Sequence, residues 1–361
     1  VHPHQSKLFG KEISVNLPKA SYTEKSASWL VPILFVILLV IAFLGGCGQR
    51  PQVEHEAETP DMPDGLPTTS ASPPSPSASV FISPLATPLP GISLPGEFVL
   101  HSDAGGVYNV YTMQGDGKNI QQLTFNGGRN IEPVWSPDGN LIAFASDRDD
   151  AAGLNIYVMN ADGSDQHALT NHQGYALSPS WSPDGKKLVF HTNWEVKFQL
   201  YTVDLEGGEP QKLFDFPANA YMPDWSPDGS QVAFVGDRDG GNDDIYVATP
   251  DDGEIRRLTD NFEREIRPRW SPDGTRLVYQ RYDGEDIDIV VRDMETDEEI
   301  FSVLDDHYRD SMPAWVEGEK YLVVSSSINE SPWALNIINF DGDRYLLTDE
   351  GGSLRYAQWT N

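Results

Sequence analysis

The sequence predicts an all-β fold, a six-bladed β-propeller of four-stranded antiparallel blades, from three observations. Tryptophan returns at positions 135, 181, 225, 270, 315 and 359, at intervals of 44 to 46 residues. The same further apolar runs recur around each of them, in the same order. The 31 glycines and the 11% aromatic content suit a sheet protein full of turns better than a helical one. A period near 45 residues with four short strands per unit is the pattern of a propeller blade.

Strand A ends at the tryptophan. Strand B is centred nine residues later, at Phe144, Phe190, Phe234, Tyr279 and Val324. Strand C follows around Tyr111, Tyr157, Tyr201, Tyr246, Val290 and Ile337, in runs such as "NIYVM". Strand D closes eleven residues before each tryptophan, at Thr124, Thr170, Phe214, Thr259, Leu304 and Thr348. All four runs alternate and favour β-branched and aromatic residues, as half-buried strands do. The repeat region begins at Glu97 with a strand B and finishes after the strand A "LRYAQW". The C-terminal strand must therefore complete the N-terminal blade, which closes the ring and leaves no free sheet edge.

Ser-Pro-Asp-Gly follows Trp135, Trp181, Trp225 and Trp270. Serine, proline, aspartate and glycine in that order fit a type I turn between strands A and B. Four identical copies on a ring point away from one another, so they are turns and not reactive groups. After Trp315 the copy has decayed to "VEGE", which a turn tolerates.

The stretch "PVWSPDGNLIAFASDRD…NIYVMNADGSDQHALT" resembles the TolB-type, WD-like propeller repeat, and the resemblance extends over about 97–361. It implies a six-bladed propeller outside the cytoplasm that serves mainly as a protein-binding platform. TolB proteins carry an additional α/β domain before the propeller; this chain has a different N-terminal part.

That part divides into three. Residues 1–28 carry four lysines against two glutamates, as the cytoplasmic n-region of an exported protein does. Residues 29–47 hold the uncharged run "WLVPILFVILLVIAFL" and then Gly45-Gly46-Cys47. This is a signal sequence or a membrane anchor, with basic residues on its inner side and acidic ones after it. Leu44-Gly45-Gly46-Cys47 resembles a bacterial lipobox, which implies that Cys47 is acylated; the alternative is a plain signal anchor. Residues 48–96, rich in proline, serine and threonine, read as a disordered tether. The expected location is the periplasmic or cell-surface side of a bacterial membrane.

The net charge of −30 excludes nucleic acid as the main partner. A single cysteine excludes a disulfide framework and any CxxC motif. Propellers of this kind also accompany catalytic domains in prolyl oligopeptidases, and some are lyases or hydrolases. A hydrolase elbow needs G-x-S-x-G; "GGSLR" at 351–355 lacks the last glycine. No catalytic residue is assigned. The histidines show no metal-ligand spacing, and no cofactor is expected apart from calcium.

Two candidate binding regions remain. The D–A and B–C connections share one face of the ring, and the B–C loops are acidic: Asp147 and Asp149, then Asp237, Asp239, Asp243 and Asp244. They form either a solvated rim or a surface for cations or a basic partner. "DRDGGNDD" has the oxygen density that calcium favours, without the spacing of an EF-hand loop. The start of each strand A should line the central channel, with Glu132, Glu265, Arg267, Asp310, Arg355 and Tyr356 as a mixed-charge ring at its mouth. Such a ring could hold a peptide end or a small polar ligand. The leading expectation is a monomeric, membrane-tethered platform for a protein or surface glycan. The alternative is an enzyme acting on an exported polysaccharide or peptide.

Overall fold

The computed structural model of the chain describes residues 94–360, apart from 150–152, 239–240, 283, 285–286, 304–308, 317, 319, 328–332 and 349–353. These residues form 24 strands in six antiparallel sheets of four, and no helix occurs among them. The strands are numbered β1 to β24 in chain order. In blade 1, β24 (Leu354–Thr360) lies beside β1 (Glu97–Ser102), in the order β24-β1-β2-β3. The other five blades each use four consecutive strands, and their inner strands are β4 (Asn130–Trp135), β8 (Ala176–Trp181), β12 (Ala220–Trp225), β16 (Arg264–Trp270) and β20 (Arg309–Val316). The propeller expected from the repeat, and its closure by the last strand, are both present.

Strand B of each blade is the most deeply buried element. Phe98, Phe144, Phe190, Phe234 and Tyr279 are fully buried. Residues from adjacent blades share the apolar clusters, so every core lies between sheets: Val134 and Ala143 of blade 2 with Trp181 and Leu188 of blade 3, for example. A blade alone would leave both of its faces wet, so the blades are stable only as a ring.

The Ser-Pro-Asp-Gly copies are turns, and each is built in the same way. The Gly139 N–H donates to the Ser136 carbonyl at 2.9 Å, and Gly139 takes the left-handed φ of 70° that favours glycine. Ser136 Oγ donates to Asp138 Oδ1 at 2.6 Å and accepts from the Leu141 N–H at 2.9 Å. The same bonds recur at Ser182, Ser226 and Ser271. Every serine and aspartate of the motif is spent on holding its own hairpin.

Ring closure can be tested at Phe98, which is fully buried and meets Trp359 of the last strand edge-on at 4.8 Å. Phe98→Ala is expected to cost about 3–5 kcal/mol. Leu346→Ala, on an outermost strand, should cost less than about 0.5 kcal/mol. Urea unfolding of the two variants gives the comparison, and equal losses would contradict a ring locked by its first blade.

Candidate functional site

The channel wall is made by an irregularity that all six inner strands share. Three residues before each tryptophan the chain turns left-handed: Glu132, Ser178, Met222, Arg267, Met312 and Tyr356 have φ between 50° and 57°. At each of these points two residues face one residue of strand B, as in Ile131↔Ala145 followed by Val134↔Ala143. This is a β-bulge, which bends the strand and re-aims a side chain. Proline follows the left-handed residue in five of the six copies, at 133, 179, 223, 268 and 313. It has no N–H to give to a ladder and so belongs where the ladder is broken.

The backbone N–H groups freed by the bulges are taken up by the preceding blade. Glu132 N donates to His101 Nδ1 at 3.1 Å, Met222 N to His191 Nδ1 at 3.3 Å, and Met312 N to Gln280 Oε1 at 2.9 Å. Ser178 donates to Glu132 Oε2 from both its N–H, at 2.7 Å, and its hydroxyl, at 3.0 Å. A second tier lies two residues further along. There Gln358, Ser180 and Asp224 accept from the backbone N–H of Trp135, Trp225 and Trp270.

Charges then cross the bore. Arg267 of blade 5 faces Glu132 of blade 2, three blades away and so opposite on the ring, at 3.6 Å. Arg269 binds Asp224 at 3.1 Å and donates to the Tyr356 hydroxyl. Burial raises the Asp224 carboxyl, against the pull of Arg269, and pushes the Tyr356 phenol up to about 12. A recess remains between Arg267, Arg269, Met312, Tyr356 and Gln358, with room for about one water molecule.

Of the six residues expected to ring the channel mouth, three meet inside it: Glu132, Arg267 and Tyr356. Glu265 and Asp310, two residues before the bulge, turn into their own blades. Glu265 is held by Arg281 at 2.8 Å and Asn261 at 2.9 Å, and Asp310 by Arg344 at 2.8 Å and Ser326 at 2.7 Å. Arg355 lies over the Trp333 ring. These three lie at the start of strand A, before the bulge, and it is the bulge residue that is re-aimed into the bore. Sequence reading also missed Asp224, Gln358 and the three acceptors His101, His191 and Gln280. The recurring proline was the available signal.

The acidic loop residues are largely occupied. Asp147 accepts from the Arg129 N–H at 2.6 Å and pairs with its guanidinium at 2.7 Å. Asp237 accepts from Asn219 in the equivalent place, at 2.8 Å and 2.7 Å. Asp149 accepts from the Tyr157 hydroxyl, Asp243 pairs with Arg264, and Asp244 with Arg257. Burial pushes the Asp244 carboxyl up to about 6. Asp239 and Cys47 lie outside the described residues. Among the described residues no three histidine, cysteine or carboxylate side chains group as metal ligands do.

The buried histidines make the bore acid-sensitive. Burial holds His101 at about 3, with Arg355 and Arg267 adding to the effect. Burial holds His191 at about 4, with Glu132 opposing it. Above pH 6.5 both are neutral whether the chain is folded or unfolded. Below that the unfolded chain binds protons that the folded chain refuses, so stability falls with pH until about 4 and 3 respectively. The loss between pH 7 and pH 4.5 is on the order of 2 kcal/mol per histidine. Gln280 does the same work in blade 5 without titrating. The double variant His101→Gln, His191→Gln should therefore flatten the pH dependence of the urea midpoint over this window. An unchanged slope would show that the histidines do not set it.

The comparisons with known proteins agree with this architecture. The family model described as PD40, TolB beta propeller domain, matches residues 153–361, more than half of the chain. TolB from Acinetobacter baumannii has a TM-score of 0.64 at 23% identity, over 74% of this chain and 67% of its own. Hydrazine synthase from Kuenenia stuttgartiensis gives 0.61 at 15% identity, over 73% of this chain and 46% of its own. Oligogalacturonate lyase from Vibrio parahaemolyticus gives 0.51 at 19% identity, over 69% and 73%. A search of curated proteins finds no match. At such identities the solved structures speak for the fold, and proteins of different activity share it. With the family model covering most of its propeller, this chain belongs to the TolB β-propeller domain family.

Proposed function

We propose that the protein is exported, held at a membrane through its N-terminal segment, and binds another protein on the face formed by the D–A and B–C loops. One observation carries this reading. Phe125, Val196 and Phe262, the three most exposed large apolar side chains among the described residues, all sit in those loops. Phe125 and Phe262 follow strands D, and Val196 lies between strands B and C. Exposed aromatic groups beside polar loops are what protein interfaces use as anchors. The acidic side chains of the same loops are turned to structural work, as the pairs of Asp147, Asp237 and Asp243 illustrate. The bore itself is filled across its width by Arg267 and Glu132, which leaves the loop face as the docking surface.

A photo-reactive residue at position 262 of the full chain, activated in intact cells, tests the face. A discrete protein adduct that is lost when Phe125 is changed to aspartate is the expected result. No adduct, together with turnover of a polysaccharide that Glu132→Gln abolishes, would overturn the platform in favour of an enzyme. The anchor has its own test. Labelled palmitate should be incorporated by the natural chain and not by Cys47→Ser; membrane retention without label would instead mean a signal anchor.

A further inference from the structure

The recess in the bore has a chemistry that docking on the loop face leaves unexplained. Its principal group is Arg267, only 4% exposed. A guanidinium carries five N–H donors and no acceptor. Among the described residues its sole polar contact is Glu132 at 3.6 Å, beyond hydrogen-bond range, and its Nε is buried with no hydrogen-bond partner. A buried cation left so poorly coordinated is costly, and native structures answer such groups with water or an ion.

The polar side chains beside Arg267 likewise have donors still to give. The Tyr356 oxygen already accepts from Arg269, so its own O–H remains to be given. Gln358 Oε1 already accepts from the Trp135 N–H at 2.9 Å, which leaves its NH₂. The carboxylates nearby are engaged elsewhere. Asp224 receives Ser180, Arg269 and the Trp270 N–H, and one oxygen of Glu132 receives both donors of Ser178. The rest of the lining is Met312, Pro313, Ala314 and Ala357. The donors around the recess thus outnumber its acceptors, chiefly the second lone pair of Gln358 Oε1 and, beside the recess, Glu132 Oε1.

We propose that this recess binds one halide ion between Arg267, Tyr356 and Gln358. Room for about one water excludes phosphate, sulfate and a peptide terminus. The recess spans the levels of Arg267 and Arg269 on strand β16, the half of the bore nearer the A–B turns. The proposal is therefore independent of any partner on the loop face. The anion would join blade 5 to blade 1, adding to the bond between Arg269 and Tyr356 and the cation–π contacts of the two arginines with that ring.

The test uses bromide as probe, on the full chain. Crystals soaked in sodium bromide should show one anomalous peak in the recess. In solution, bromide and chloride should raise the melting temperature saturably, whereas formate and gluconate at matched ionic strength should not. Tyr356→Phe removes one donor and should weaken bromide about tenfold. Gln358→Glu keeps the acceptor for Trp135 but brings its own carboxylate, and should abolish the bromide peak in a folded protein. The proposal fails if the recess shows water alone, if bromide binds at crystal concentration only, or if natural chain and both variants respond alike to bromide.

Discussion

Everything in this ring depends on the left-handed residue placed three before each strand-A tryptophan. Six inner strands converge on the axis, and each must present side chains to one narrow bore. The bulge resolves this by bending each strand where it reaches the bore, at a cost of about 1–2 kcal/mol per non-glycine residue held left-handed. The offset is local and visible. Each freed N–H from Glu132, Ser178, Met222 and Met312 is accepted by a side chain of the blade before it. Strain within one blade is thus relieved by its neighbour, and the bulge doubles as the joint between blades.

The same residues decide what fills the channel. A bulge aims its side chain inward, so the identity of six residues sets the lining: a glutamate, a serine, two methionines, an arginine and a tyrosine. Opposite charges at Glu132 and Arg267 face each other and close the bore. The chain carries a net charge of −30, yet its bore holds two arginines, Arg269 bonded to Asp224 at 3.1 Å and Arg267 set 3.6 Å from Glu132. Acidic residues go to the loops, where several clasp the start of strand A and stiffen the face that carries Phe125, Val196 and Phe262.

The architecture was legible in the sequence because it rests on short-range, repeated signals. Tryptophan spacing, alternating strands and Ser-Pro-Asp-Gly each report local geometry, and six copies make the reading redundant. The bore was half legible. Its bulge residues share no chemistry among themselves, and the expectation that the start of each strand A lines the channel took in Glu265 and Asp310, which the structure turns into their own blades. Asp224 sits in "MPDWSPDG", where an aspartate reads as part of a turn. Proline two residues before the tryptophan, in five copies of six, did announce the broken ladder. The acidic loops show the other limit: the partner of Asp147 is Arg129 and that of Asp237 is Asn219, each 18 residues back, a constant separation that becomes meaningful only once the hairpin is known.

A ring held together at its centre requires that opposite blades be coupled through the bore. A double-mutant cycle of Glu132→Gln and Arg267→Met, read from urea unfolding of the four proteins, measures that coupling directly. A buried pair spanning the ring predicts an interaction of about 1–3 kcal/mol, with each single variant more damaging than half of the double. Losses that add to within about 0.5 kcal/mol would contradict it, and would mean that the two charges share the channel without holding it together.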